Sequence, residues 1–272
     1  MATPENRSTP AAKPLQPVLF LGHGSPMNAI EDNPWSRGWK ALGGTLGKPK
    51  AILSISAHWW TRGVRLTAQD TPPTIHDFGG FPQELFEVEY PAKGSAELVA
   101  RIARILPAAR GVSDWGLDHG TWSVLVHLFP DADIPVVQLS LDAESSPSAF
   151  VELGKALRPL RGEGVLIVGS GSITHNLADS IGRMSGRVRG DAEWARRFDG
   201  AVVAATEARD RSLLESLHAT ADGRRSHPTP DHWFPYLVAW GATSPSDTVK
   251  WPVVGMDMES MSMRAARWDA TA

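Results

Sequence analysis

The chain has 272 residues, 42% hydrophobic and 21% charged, a balance that suits one substantial folded domain and excludes wholesale disorder. Its 27 basic against 30 acidic side chains leave a net charge of −3, so there is no electrostatic case for a nucleic-acid or anionic-membrane partner. No run reaches the roughly 18 apolar residues of a membrane span, and with no cysteine any metal must sit on histidine, carboxylate or water.

In chain order, residues 1–16 are rich in Pro, Ala, Thr and charge. They lack the apolar core of about 7–15 residues that a secretory signal needs, and they are expected to form a disordered leader on a cytoplasmic protein. Residues 17–272 read as a single domain, because no composition break marks a linker. Short apolar runs bounded by Gly, Pro or Ser predict strands at Pro17–Leu21, Ala51–Ser56, Pro135–Leu141 and Val165–Gly169. Their continuous apolar character suits strands covered on both faces.

The segment Thr71–Tyr90, rich in Pro and Gly, is either a functional loop or a missed element. Ser95–Leu106 predicts a helix with Leu98, Val99, Ile102 and Ile105 on one face, and Ser148–Leu160 reads similarly. Asp191–Leu217 is a longer helical pattern expected to break near Gly200. Pro230–Trp240 predicts a last helix with Pro230 in its first turn and Gly241 at its end. Strands alternating with helices make this an α/β domain: a central mixed, mainly parallel sheet flanked by helices on both faces.

Four of the nine histidines share one context, the junction where an apolar run meets a small-residue turn. They are His23 in Gly-His-Gly-Ser-Pro-Met, His58 in Ser-Ala-His-Trp-Trp, His119 in Asp-His-Gly-Thr-Trp and His175 in Gly-Ser-Gly-Ser-Ile-Thr-His. A lone histidine of this kind is ordinarily a hydrogen-bonded structural residue. Ligands in open α/β sheets bind beyond the carboxyl ends of strands, however, so four such residues can converge on one site. His232, beside Asp231, is a fifth candidate, set against a plain position on an exposed helical turn. His227 reads as a ligand, a cap or neither; His127 as packed on a helix; His218 as exposed. The pair His76–Asp77 either lines a pocket or closes a turn. Trp59 and Trp60 are core residues or a pocket wall. Gly169–Ser172 matches neither a dinucleotide fingerprint nor a P-loop nor a serine-nucleophile elbow.

Taken in order, Gly22–Met27, Ser56–Trp59, Pro72–Pro82, Asp118–Gly120 and Pro228–His232 make a combined signature. By it the chain, from about Pro17 to Met263, resembles the class III (LigB-type) extradiol ring-cleavage dioxygenases, in particular the 4,5-DOPA dioxygenase subgroup. The resemblance implies a LigB-like catalytic domain with a non-haem Fe(II) centre that opens a catechol ring with O2 to a muconate-semialdehyde product. Zn(II) is the alternative occupant. It implies His23, His58 and His232 as metal ligands, and His175 as acid/base and possible fourth ligand. His119 would line the substrate site, hydrogen-bonding an oxygen of substrate or O2. The partners implied are a DOPA-like catechol and O2, with Arg62 or His76 as guesses for contacting the amino-acid half. Proton transfer from the catechol asks for a histidine that titrates near neutrality, a role given to His175. Two rivals stand beside this reading: a zinc hydrolase using the same histidines, and a LigB-fold binding or signalling protein with little catalysis.

Overall fold

Val18 and Phe20 of the first strand face one side of the sheet, Leu19 and Leu21 face the other, and all four are fully buried. The same alternation, Val165 and Ile167 against Leu166 and Val168, runs along the strand beside it. Both faces of the sheet are therefore covered, as the continuous apolar runs require.

The computed structural model describes residues 15–271. Its first half runs β1 (Val18–Gly22), α1 (Pro34–Gly43), β2 (Ala51–Thr61), β3 (Arg65–Thr67), α2 (Gln83–Phe86), α3 (Ala96–Ile105), β4 (Arg110–Val112), α4 (His119–Leu128) and β5 (Val136–Asp142). The second half continues with α5 (Pro147–Leu157), β6 (Val165–Gly171), α6 (Leu177–Met184), α7 (Glu193–Glu207), α8 (Arg211–Ser216), α9 (Ala221–Ser226) and α10 (Phe234–Gly241). It closes with β7 (Thr248–Val253), β8 (Met256–Asp257), β9 (Met261–Ser262) and β10 (Ala265–Asp269). The main sheet has the order β4-β3-β5-β2-β6-β1-β10-β7. β5, β2, β6 and β1 are parallel to one another, while β10 and β7 add an antiparallel edge. Residues of α1 and α4 pack on one face, and those of α3, α5, α7, α8 and α10 on the other. The mixed, mainly parallel α/β sheet covered on both faces is thus present.

Three local expectations need correction. β2 runs on to Thr61 rather than ending at Ser56. The helix expected to break near Gly200 is continuous from Glu193 to Glu207, and the break falls at Arg209, whose φ is 55°. A glycine inside a helix costs only about 1 kcal/mol, and the stripe of Trp194, Phe198, Val202 and Ala205 buried on this helix outweighs it. The last helix is preceded by a separate 3-10 turn, Pro230–His232. The leader falls outside the described residues except for Leu15 and Gln16. Gln16 belongs to the folded part, donating its N–H to the Arg161 carbonyl at 3.2 Å and accepting from Arg161 Nε at 2.8 Å.

Candidate metal centre

The β2–β6 ladder ends at Ser56–Ser170, and beyond it β2 pairs with β5 again only from Trp60. His58 lies in this unpaired stretch. His23 follows β1 directly and donates its N–H to the Gly171 carbonyl at 3.0 Å. From β1 the chain continues into helices on the α1/α4 face, and from β6 towards those on the α10 face. A crevice therefore opens at the carboxyl ends of the central strands, where open α/β sheets bind ligands. α4 brings His119 to this crevice as its first residue, with the Asp118 side chain accepting from Thr121 N–H as the cap. The 3-10 turn before α10 brings His232, whose carbonyl accepts from Ser172 N–H at 3.0 Å. Two glycines permit the convergence. A Cβ on Gly120 would lie 2.5 Å from Ser56 Oγ and 2.9 Å from the His58 ring, and one on Gly171 would lie 2.3 Å from the His232 carbonyl.

The rings of His23, His58 and His232 form a near-equilateral group, with centroids 5.0, 5.1 and 4.9 Å apart. His119 lies 3.9 Å from His58 and 5.5 Å from His23. His175 stacks on His232 at 3.4 Å with ring planes 6° apart. All five histidines singled out from the sequence therefore meet. Their donor atoms fall into two neighbouring groups, each within 4.8 Å: His23, His58 and His119, and His175, Asp231 and His232.

Hydrogen bonds fix which nitrogen each ring offers. Ser170 Oγ donates to the Gly120 carbonyl at 2.5 Å, so it must accept from His23 Nδ1–H at 2.9 Å, which leaves His23 Nε2 with a bare lone pair. His119 Nδ1–H donates to Asp77 Oδ1 at 3.0 Å, and His232 Nδ1–H donates to Asp231. Each again frees Nε2, and that of His232 is buried with no hydrogen-bond partner among the described residues. His58 Nε2 sits 3.1 Å from His23 Nε2. Imidazole nitrogens whose other nitrogen is held by a carboxylate or hydroxyl are what a divalent transition-metal ion takes as ligands. The donor set fits such an ion.

Electrostatics agree. Burial, reinforced by the neighbouring imidazoles, holds His23 and His232 well below the usual histidine range. Burial and then His119 push His58 down to about 3. Burial likewise takes His175 to about 4, against a partial upward pull from Asp231. These rings are neutral at pH 7, the state in which imidazole binds a metal. The expectation that His175 titrates near neutrality is not met, because a ring stacked inside the cluster loses the solvation of its charged form. Burial alone would raise the Asp77 carboxyl, but the His119 hydrogen bond and the charges of His119 and His58 outweigh it and hold it at about 2.

The other candidates lie apart from the cluster. His76 donates Nε2–H to the Val88 carbonyl at 3.0 Å among Phe78, Phe86 and Trp122. Arg62 is exposed, 3.5 Å from Glu144. The loop residues that do reach the histidines are Asp77 and Phe78, whose ring is 5.5 Å from His119. His127 is packed on its helix, donating to the Asn28 carbonyl at 2.8 Å. His218 is half-buried against Phe234 rather than exposed. His227 is buried and structural, donating Nε2–H to the Ile173 carbonyl at 2.7 Å. Trp59 stacks on Trp115 and Trp60 packs on Phe150 and Phe234, so both are packing residues. Ser170, the partner of His23, figures in the sequence only within the Gly169–Ser172 run, where nothing signals that role.

Residues 18–267 match the family described as the catalytic LigB subunit of aromatic ring-opening dioxygenase. The chain is 44% identical over 256 residues to the 4,5-DOPA dioxygenase extradiol of Escherichia coli K12, spanning 91% of this chain and 92% of that one. It is 39% identical over 238 residues to the protein of the same name from Beta vulgaris, spanning 84% and 87%. It superposes on the crystal structure of an uncharacterised Escherichia coli K12 protein with a TM-score of 0.79 and 37% identity, covering 93% of this chain and 99% of that one.

Proposed function

This chain belongs to the LigB family of aromatic ring-opening dioxygenases, and on that premise we propose that it opens the ring of a DOPA-like catechol with O2 at an Fe(II) centre held by His23, His58 and His232. The observation that carries the proposal is the convergence of five imidazoles, four of them held neutral by burial, with the buried Nε2 lone pair of His232 facing no protein donor among the described residues. Ferrous iron there would supply the one-electron chemistry that lets a catechol react with O2.

The remaining steps belong to the protein. The neutral ring of His175 takes a proton from one catechol hydroxyl and returns it later in the reaction. Burial, which lowers it to about 4, keeps this ring neutral and open to accept a proton. His119 turns Nε2 to the substrate side. With the ionised Asp77 on Nδ1, it is arranged to take a proton at Nε2 and then hydrogen-bond an oxygen that gains negative charge. Phe78 and the half-buried loop around it cover the aromatic ring and limit water. The product is a muconate semialdehyde.

The test is anaerobic loading with ferrous ion followed by a catechol screen on an oxygen electrode. O2 uptake with a yellow ring-opened chromophore supports the proposal. Metal-loaded protein that consumes no O2 with any catechol refutes it.

A further inference from the structure

We propose that the cleft bounded by the carboxyl ends of α5 and α10 and by the α7–α8 corner binds a small oxyanion, an inorganic phosphate or a dicarboxylate. The cleft has a volume of about 320 Å³ and its walls include Lys155, Arg158, Arg209, Arg211, Trp240 and Thr243. It shares no residue with the histidine cluster. α10 begins two residues after His232 and ends at the cleft, and its eight residues span roughly 12 Å.

Three buried side-chain N–H groups on these walls find no acceptor among the described residues: Arg158 Nε, Arg209 Nη1 and Trp240 Nε1. Every buried unpartnered side-chain atom of the lining is thus a donor, so the complementary ligand is one that only accepts. Capping of the α10 carboxyl end accounts for part of the arginine chemistry. Arg158 Nη2 donates to the Gly241 carbonyl at 3.0 Å, and Arg209 Nη2 donates to Thr243 Oγ1 at 3.0 Å while its guanidinium lies 5.2 Å over the Trp240 ring. That leaves one buried, unpartnered nitrogen on each guanidinium among the described residues.

The charges are also unbalanced. Glu152 serves Arg211 and Lys155, Glu215 serves Arg211, and Asp247 Oδ2 is taken by the fully buried Arg161, its Oδ1 being buried without a partner among the described residues. Among the described residues Arg158 and Arg209 form no ion pair with a carboxylate. Burial holds both below the usual arginine range; at Arg209, Asp247 opposes the shift and Arg158 adds to it. A water molecule would satisfy a donor but leave this charge standing, whereas an oxyanion answers both at once.

The experiment is calorimetric titration of the full-length protein with sodium phosphate and, separately, sodium succinate, against sodium chloride of matched ionic strength. Saturable binding of one anion per chain is expected, tighter for phosphate if the ligand carries a phosphoryl group and tighter for succinate if it is a carboxylate. Arg158→Gln and Arg209→Gln should each weaken it roughly tenfold or more. Lys155→Gln, an exposed change that leaves the helix end intact, should weaken it several-fold. The exposed Arg37→Gln should leave it unchanged, and His23→Ala should retain it, which separates this site from the metal centre. Titration no different from chloride, equal binding in the Arg158, Arg209 and Lys155 variants, or loss of binding in His23→Ala overturns the proposal.

Discussion

Asp77 Oδ1 accepts two hydrogen bonds from His119, one from the backbone N–H at 2.9 Å and one from Nδ1–H at 3.0 Å, while its Oδ2 lies 3.7 Å from His58 Nδ1. One loop carboxylate thereby fixes the His119 ring and the first residue of α4 and lies beside the His58 ring. Removing it frees His119 to rotate and takes a negative charge away from His58. Asp77→Ala should lower metal affinity about 10–100-fold, the usual cost of losing such a supporting partner, and Asp77→Asn, which keeps one acceptor, should recover part of it. Competitive metal titration measures both, and unchanged affinity in the alanine variant would contradict the role.

His23→Ala, His58→Ala and His232→Ala should each yield protein with well under one metal per chain, since three ligands reduced to two no longer hold a labile divalent ion. His119→Ala should retain about one metal per chain, because the proposed function gives this ring a substrate-side role. Elemental analysis after dialysis separates the cases. Loss of metal in His119→Ala with retention in His232→Ala would exchange the two roles, an arrangement the donor grouping of His23, His58 and His119 makes specific.

His175→Ala should keep the metal and lose turnover by roughly two to four orders of magnitude, the range of a positioned acid–base group. Steady-state O2 uptake at saturating catechol reads this directly, and a normal rate would remove the proton-transfer role.

Much of this was legible in the chain itself. The four central strands announce themselves because burial on both faces makes them continuous apolar runs, and the five site histidines sit at their ends or on the turns that return to them. The outer strands β3, β4, β7 and β10 were not legible. Thr248–Val253, for example, is mostly solvent-facing and carries Pro252, so it lacks the apolar run that marks a strand. The pairing of Asp77 with His119 spans 42 residues, and no local spacing reveals it. The depressed proton affinity of His175 was equally hidden, because it arises from burial in the assembled cluster, which depends on the return of the Pro230–His232 turn to the site. Gly200 misled because a glycine's local preference was weighed without the buried stripe beside it.

Acid should unfold the metal-free protein early. Burial holds His227 at about 3, with its hydrogen bond to Ile173 opposing and His175 assisting the shift. Between that value and the ordinary 6.5 the unfolded chain binds a proton that the folded chain refuses, so the stability is complete above 6.5 and is lost as pH falls towards 3. His23, His58, His175 and His232 carry the same sign. The thermal midpoint of metal-free protein should drop steeply as pH falls from about 6.5 to about 4, with a shallower slope in His227→Gln. A midpoint flat across this window would contradict the account.

The central claim is that these converging imidazoles serve oxygen insertion rather than hydrolysis, and isotope labelling tests it most directly. Ferrous-loaded protein given a DOPA-like catechol under 18O2 in ordinary water should release a ring-opened product whose mass shows both atoms of O2 incorporated, before exchange of the aldehyde oxygen with solvent. A product whose new oxygen comes only from water, or a catechol left intact while the metal site is full, would contradict it.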